Sequence, residues 1–178
     1  LILGAVVALL VGVIVLALQR ELSSSPAPSA APSFAAGLGS VASAVPLSPE
    51  EEAYAAALWP VHSEVKLAAV KMIFAGLHYK TGNGDAQLLR DKVQPLTKTF
   101  QSAATRAGGI QPPASLADAH DSYLEALRLY MAASGEMAKV ADDGRDEHLV
   151  SAQRRSEQAS LAILKLSDVL WPGEYKPN

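Results

Sequence analysis

Four histidines, His62, His78, His120 and His148, are the side chains of this 178-residue chain best suited to metal ligation or proton transfer. Each is tested by its neighbours. His62 and Glu64 make the H-x-E fragment of zinc deaminases, but that signature also needs a P-C-x-x-C partner and the chain has no cysteine. His120 falls between Leu116 and Tyr123 on an apolar helical seam and reads as a hydrogen-bonding residue packed near the base of a helical body. His78 and His148 are expected to share one end of that body, with Asp146 and Glu147 adjacent in sequence. They are weak candidates for a divalent metal, because two imidazoles fall short of the three or four ligands that a persuasive site needs. Exposed helix-end histidines are the alternative, and His78 also suits a helix C-terminus.

Other chemistries fail on composition or spacing. Absence of cysteine excludes disulfides, thiolate zinc sites, thiol catalysis, a lipidated cysteine and covalently attached c-type haem. No histidine has Asp or Glu three residues before it, so the Glu-x-x-His pairs of di-iron bundles are missing. Met72, Met131 and Met137 recur at core spacing, and no histidine in the last helix lies past its first turn to complete a haem axial pair. Gly82-Asn83-Gly84 lacks the Lys-Ser/Thr continuation of a phosphate loop, and no serine sits in a nucleophile elbow. A net charge of −3 gives no footprint for nucleic acid. Catalytic residues and cofactors are therefore expected to be none.

The elements that hold these residues are more legible. Leu1 to Leu18 carry no charged or polar side chain. At about 1.5 Å per residue the run covers roughly 27 Å, near the ~30 Å hydrocarbon core, so a single transmembrane helix over 1–19 is expected. A secretory signal peptide is the rival, but its apolar stretch is shorter, and the clearest A-x-A, Ala42-Ser43-Ala44, lies too far downstream. Gly4, Ala8 and Gly12 line one stripe of this segment and would let another helix approach closely. Residues 20–47 form a Ser/Ala/Pro/Gly-rich linker, uncharged beyond Arg20 and Glu21, whose composition cannot build a core. Phe34 is its clearest contact residue for a partner.

From Ser48 to Pro172 the apolar period is helical. Ser48-Pro49-Glu50-Glu51 is a start signal, with Ser as cap, Pro at the first helical position and Glu three residues after the cap. Apolar residues follow at Tyr54, Leu58, Val61, Val65, Ala68, Met72, Ala75 and Tyr79, and Thr81-Gly82-Asn83-Gly84 ends the helix with left-handed terminators expected. Pro60 predicts a kink or break near Trp59. Asp85 caps a second helix through Leu89, Val93, Leu96, Phe100, Ala103 and Ala107, bent at Pro95. A third follows Pro112-Pro113 with Leu116, His120, Tyr123, Leu127, Tyr130, Ser134, Met137 and Ala141. After Asp142-Asp143-Gly144, a fourth carries Leu149, Ala152, Ser156, Ala159, Ile163, Leu166 and Leu170. Steps of three and four with short connections predict an up-down-up-down four-helix bundle over 48–172, with a tail at 173–178. The fold class is thus all-α: one N-terminal transmembrane helix plus this bundle. Trp59 and Trp171, each followed by proline, are placed at the same end, as partner-interface residues or as plugs of the bundle base.

The stretch from Pro112 to Tyr130, PPASLADAHDSYLEALRLY, resembles a pattern in uncharacterised bacterial extracytoplasmic helical domains, where a Pro-Pro turn opens a helix reading roughly H-x-x-Y/L-x-x-A-L-x-x-Y. The resemblance covers about one helix and implies a secreted or anchored helical module. It implies nothing about catalysis. Together these readings predict a non-enzymatic accessory subunit of a larger membrane complex, photosynthetic or respiratory assemblies being examples. Its partners would be integral membrane subunits, met through the span and linker, and membrane lipid. It would be a single-pass protein of the bacterial inner membrane with the bundle on the periplasmic side. A ligand-sensing bundle is the alternative, and a metal- or haem-binding bundle the third reading.

Overall fold

The computed structural model describes residues 46–172. The expected span over 1–19, with Gly4, Ala8 and Gly12, most of the linker with Phe34, and the tail 173–178 lie outside them. Four helices account for nearly all of the described chain: α1 (Pro49–Thr81), α2 (Ala86–Gly108), α3 (Ala117–Asp143) and α4 (Glu147–Leu170). Among the described residues there is no strand, and no helix is long and apolar enough to cross a membrane.

Helix boundaries follow the capping chemistry. The Ser48 hydroxyl accepts from Glu51 N–H, and Glu51 returns a carboxylate to Ser48 N–H at 2.8 Å, closing a capping box. Its other oxygen accepts from Ser115 at 2.7 Å, which ties the start of α1 to the turn before α3. Asp85 caps α2 through Leu88 N–H at 2.8 Å. Gly144 ends α3 at φ 70°, and its N–H donates to Val140.

Three local expectations are corrected. Of the two outcomes expected at Pro60, the break does not occur: α1 runs through it, as α2 runs through Pro95. Each proline lies on an exposed face, as do Ala56 and Asp91 one turn earlier, whose carbonyls lose an N–H donor. Those carbonyls stand on the water side, so the missing bonds cost little. The left-handed residue after α1 is Gly84 (φ 66°), whereas Gly82 has φ −94° and stops the helix by donating its N–H to His78 O. Finally, α3 does not start directly at the Pro-Pro turn. A single 3-10 turn, Ala114–Leu116, intervenes and buries Leu116.

Consecutive helices run antiparallel, as the cross-helix pairs require. Arg106 of α2 meets Glu64 of α1, Arg90 meets Asp142 near the far end of α3, and Thr97 meets Ser134 at mid-length. Tyr130 of α3 bonds Ser160 of α4 at 2.8 Å. Packing is uneven: α3 lies closely against both α2 and α4, whereas the α1–α4 seam is thin. The seam residues fill the core as their period requires, and all six of α2 are buried. Phe100 and Tyr130 stack at 4.9 Å with nearly parallel planes at its centre. Tyr79, Ala141, Leu149 and Ser156 are only half-buried.

Candidate functional site

Two polar constellations and one aromatic one emerge, at opposite ends of the bundle. At the end where Ser48 enters, His62 is buried and stacks on Trp171 with ring centroids 4.6 Å apart. Trp59, one turn before His62 on α1, meets Trp171 edge-on at 5.2 Å, and Tyr123 of α3 stands 6.1 Å from the His62 ring. The antiparallel course of α1 and α4 brings residue 171 beside residues 59 and 62. Trp59 remains 40% exposed while its neighbours fix its position. Such an indole is a rigid apolar surface with a polar N–H, the combination enriched at binding interfaces.

The first turns of α1 and α3 contribute a polar pair at this end. Tyr54 and His120 are both buried, and the Tyr54 hydroxyl lies 2.8 Å from His120 Nδ1. Burial pushes the Tyr54 phenol up to about 12, and burial also lowers His120 below its ordinary value, against a smaller pull from Asp121. A neutral imidazole bonded to an un-ionised phenol is a packing element with its polar atoms satisfied.

At the opposite end, His148 holds Glu136 at 2.9 Å through Nδ1 and Asp143 at 3.1 Å through Nε2. Glu136 also receives Arg155 at 2.8 Å and Lys139 at 3.0 Å. Arg155, then His148, then Lys139 hold the Glu136 carboxyl down at about 2. Glu136 and then Asp143 raise His148 above its ordinary value. With both ring nitrogens facing carboxylates, the imidazolium is the favoured form, which is the wrong form for binding a metal.

The expected His78–His148 pairing is not what the side chains make. His78 lines a cleft of about 340 Å³ at the α1–α2 turn, with Tyr79, Asp85, Leu88 and Lys92, whereas His148 is held among α3 carboxylates. Lys80 of α1 pairs with Asp146, the residue before α4, at 2.5 Å. Among the described residues no group of three or more His, Cys, Asp or Glu is placed to hold a metal ion.

Two roles escaped the sequence reading: His62 as the ring stacked on Trp171, and Glu136 as the centre of the charged cluster. His62 carried a signal, since Trp59-x-x-His62 puts both rings on one side of α1. Glu136 carried none beyond its i, i+3 Lys139, because Arg155 and His148 come from another helix. No family model, no curated protein and no solved structure matches this chain.

Proposed function

We propose that the protein is a non-enzymatic accessory subunit of a larger membrane complex. In this reading it is fastened by one span over residues 1–19 and carries its bundle on the extracytoplasmic side of a bacterial inner membrane. The observation that carries the reading is the Trp59–Trp171–His62 cluster. A half-exposed tryptophan is held rigid by two stacked rings at the end of the bundle where the chain arrives from its apolar N-terminal run. Little conformational entropy is lost when such a residue docks, which is what makes pre-ordered aromatic residues effective binding anchors. The polar clusters add support, since their ionised or hydrogen-bonded members are engaged with one another.

Cross-linking in native membranes followed by detergent purification tests the reading. Stoichiometric recovery of defined membrane partners is expected, and Trp59→Ala is expected to weaken it at least tenfold, the effect of an interface anchor worth more than about 1.4 kcal/mol. Recovery of a clean monomer overturns the proposal. A second reading, a small-ligand-binding bundle, is favoured by the 340 Å³ cleft beside His78. A ligand-library thermal shift abolished by Leu88→Trp would select it over the first.

A further inference from the structure

The cleft of about 340 Å³ lies at the closed end of the α1–α2 hairpin, and its volume is within the range that small organic molecules occupy. Its α1 wall repeats at the helical period, through Ala75, His78, Tyr79 and Gly82, and its α2 wall does so from Asp85 to Lys92. Space is left because Ala75 and Gly82 carry little or no side chain. Gly82 cannot carry one without a backbone shift, since a Cβ there would stand 2.7 Å from the His78 carbonyl oxygen.

Around the cleft, polar groups are already paired. Lys80 holds Asp146, Arg90 holds Asp142 and Gln87 holds Asp91. Inside it the side chains of His78, Tyr79, Asn83 and Lys92 make no hydrogen bond or ion pair among the described residues. Each offers an N–H or O–H, and the ammonium of Lys92 can only donate. Among the described lining residues the one carboxylate is Asp85. It already accepts from Leu88 N–H at 2.8 Å, and it lies about 10 Å along α2 from Lys92. The cleft is thus rich in donors and short of acceptors. Apolar surface comes from buried Leu89 and from Leu88, which is 38% exposed.

We infer that this cleft binds a small organic monocarboxylate with a compact apolar body, its carboxylate on Lys92 and its body against Leu88. The inference rests on the ligand-binding reading above. A carboxylate supplies the acceptors that the lining lacks, and its pairing with an ammonium is charge-assisted. One ammonium matches one negative charge. A phosphate monoester would bring more charge than Lys92 compensates, and no arginine among the described lining residues could grip it bidentately. An amine is repelled by Lys92. A purely apolar guest would cover the donors without pairing them.

Three test ligands share one body and differ in charge: 3-phenylpropionate, 3-phenylpropionamide and 3-phenylpropylammonium. Each is titrated into the isotope-labelled full-length protein in non-ionic detergent, and backbone amide shifts are followed by NMR. The carboxylate is expected to shift residues 75–92 saturably, with a dissociation constant of roughly 1–10 mM, the range a ligand of this size reaches. The amide should bind about fivefold more weakly, the worth of one partly solvated ion pair, and the ammonium ion more weakly still. Lys92→Gln, at an exposed position, should bring the carboxylate down to the amide. Lys165→Gln, exposed on α4, should change neither. Carboxylate and amide binding equally, or a preference that survives Lys92→Gln, overturns the inference while the cleft remains a binding site. Absence of any saturable shift at 75–92 with all three overturns it as well. The ligand-binding reading fails separately, when a ligand library gives no thermal shift that Leu88→Trp removes.

Discussion

The Tyr54–His120 pair offers the sharpest test of the packing described above. Tyr54→Phe keeps the ring, which is 3% exposed, and removes only the hydroxyl. His120 Nδ1 then loses its 2.8 Å partner in a site that water barely reaches. Loss of the bond and the stranded nitrogen together cost about 1–3 kcal/mol. For a bundle of this size that lowers the melting temperature by roughly 4–12 °C, at about 4 °C per kcal/mol. Replacing both partners, as in Tyr54→Phe/His120→Leu, strands nothing and should recover most of the loss, to within about 1 kcal/mol of the parent. The pair also predicts a pH dependence. His120 is depressed in the fold by burial, so as pH falls below the ordinary 6.5 the unfolded chain takes a proton that the folded one refuses. Stability is therefore full above that value and is lost as pH falls toward the lowered folded one. The His120→Leu protein should lack this increment. Urea titrations followed by circular dichroism at pH 7.5 and 5.5, on the full chain in mild detergent, measure both effects. A Tyr54→Phe protein within about 0.5 kcal/mol of the parent at pH 7.5 would falsify the claim that this site is dry.

The cluster at the other end has the opposite sign. Since His148 is raised by Glu136 and Asp143, its contribution is complete below the ordinary 6.5 and fades as pH rises through the raised folded value. Glu136→Gln should flatten that slope, read as the urea midpoint between pH 5.5 and 9, with the larger loss on the acid side. Leu166→Ala empties a fully packed position, 2% exposed, and should cost about 2–5 kcal/mol in a denaturation series; a loss under 1 kcal/mol would remove Leu166 from the core. Gly144→Ala places a side chain at φ 70° and should cost about 1–2 kcal/mol, seen as a lower urea midpoint with unchanged slope. His78→Ala, at an exposed position, should shift stability by under about 0.5 kcal/mol, and a zinc titration should leave the parent's melting temperature unchanged.

What the sequence disclosed and what it concealed divide along one physical line. Leu89, Val93, Leu96, Phe100, Ala103 and Ala107 declare a buried face because a helix repeats every 3.6 residues and these positions share an angle. Ser48, Asp85 and Gly144 declare helix ends because their side-chain or backbone chemistry is local. Periodicity names a face, but it does not say which residue on another helix stands opposite. That is why nothing in the sequence joins Glu136 and Arg155 to His148, and why the stacking of His62 on Trp171 was invisible. The continuity of α1 through Pro60 was hidden for a related reason. A proline's cost depends on whether the carbonyl behind it faces water, which only the packed bundle decides. The outer apolar stripe of α1, the exposed Leu67, Val70, Ile73 and Phe74, was legible in principle, yet a search for one seam per helix stops when the first apolar face has been found.

The uneven packing of α1 has a kinetic consequence. Gripped on two sides, α3 can exchange its amide hydrogens only when the whole bundle comes apart, so its slowest amides report global unfolding. On the thinly sealed flank, α1 can swing off its neighbours while α2, α3 and α4 stay together, and its amides should exchange through that smaller opening. The helix with two apolar faces is thus also the one that can leave the body most cheaply.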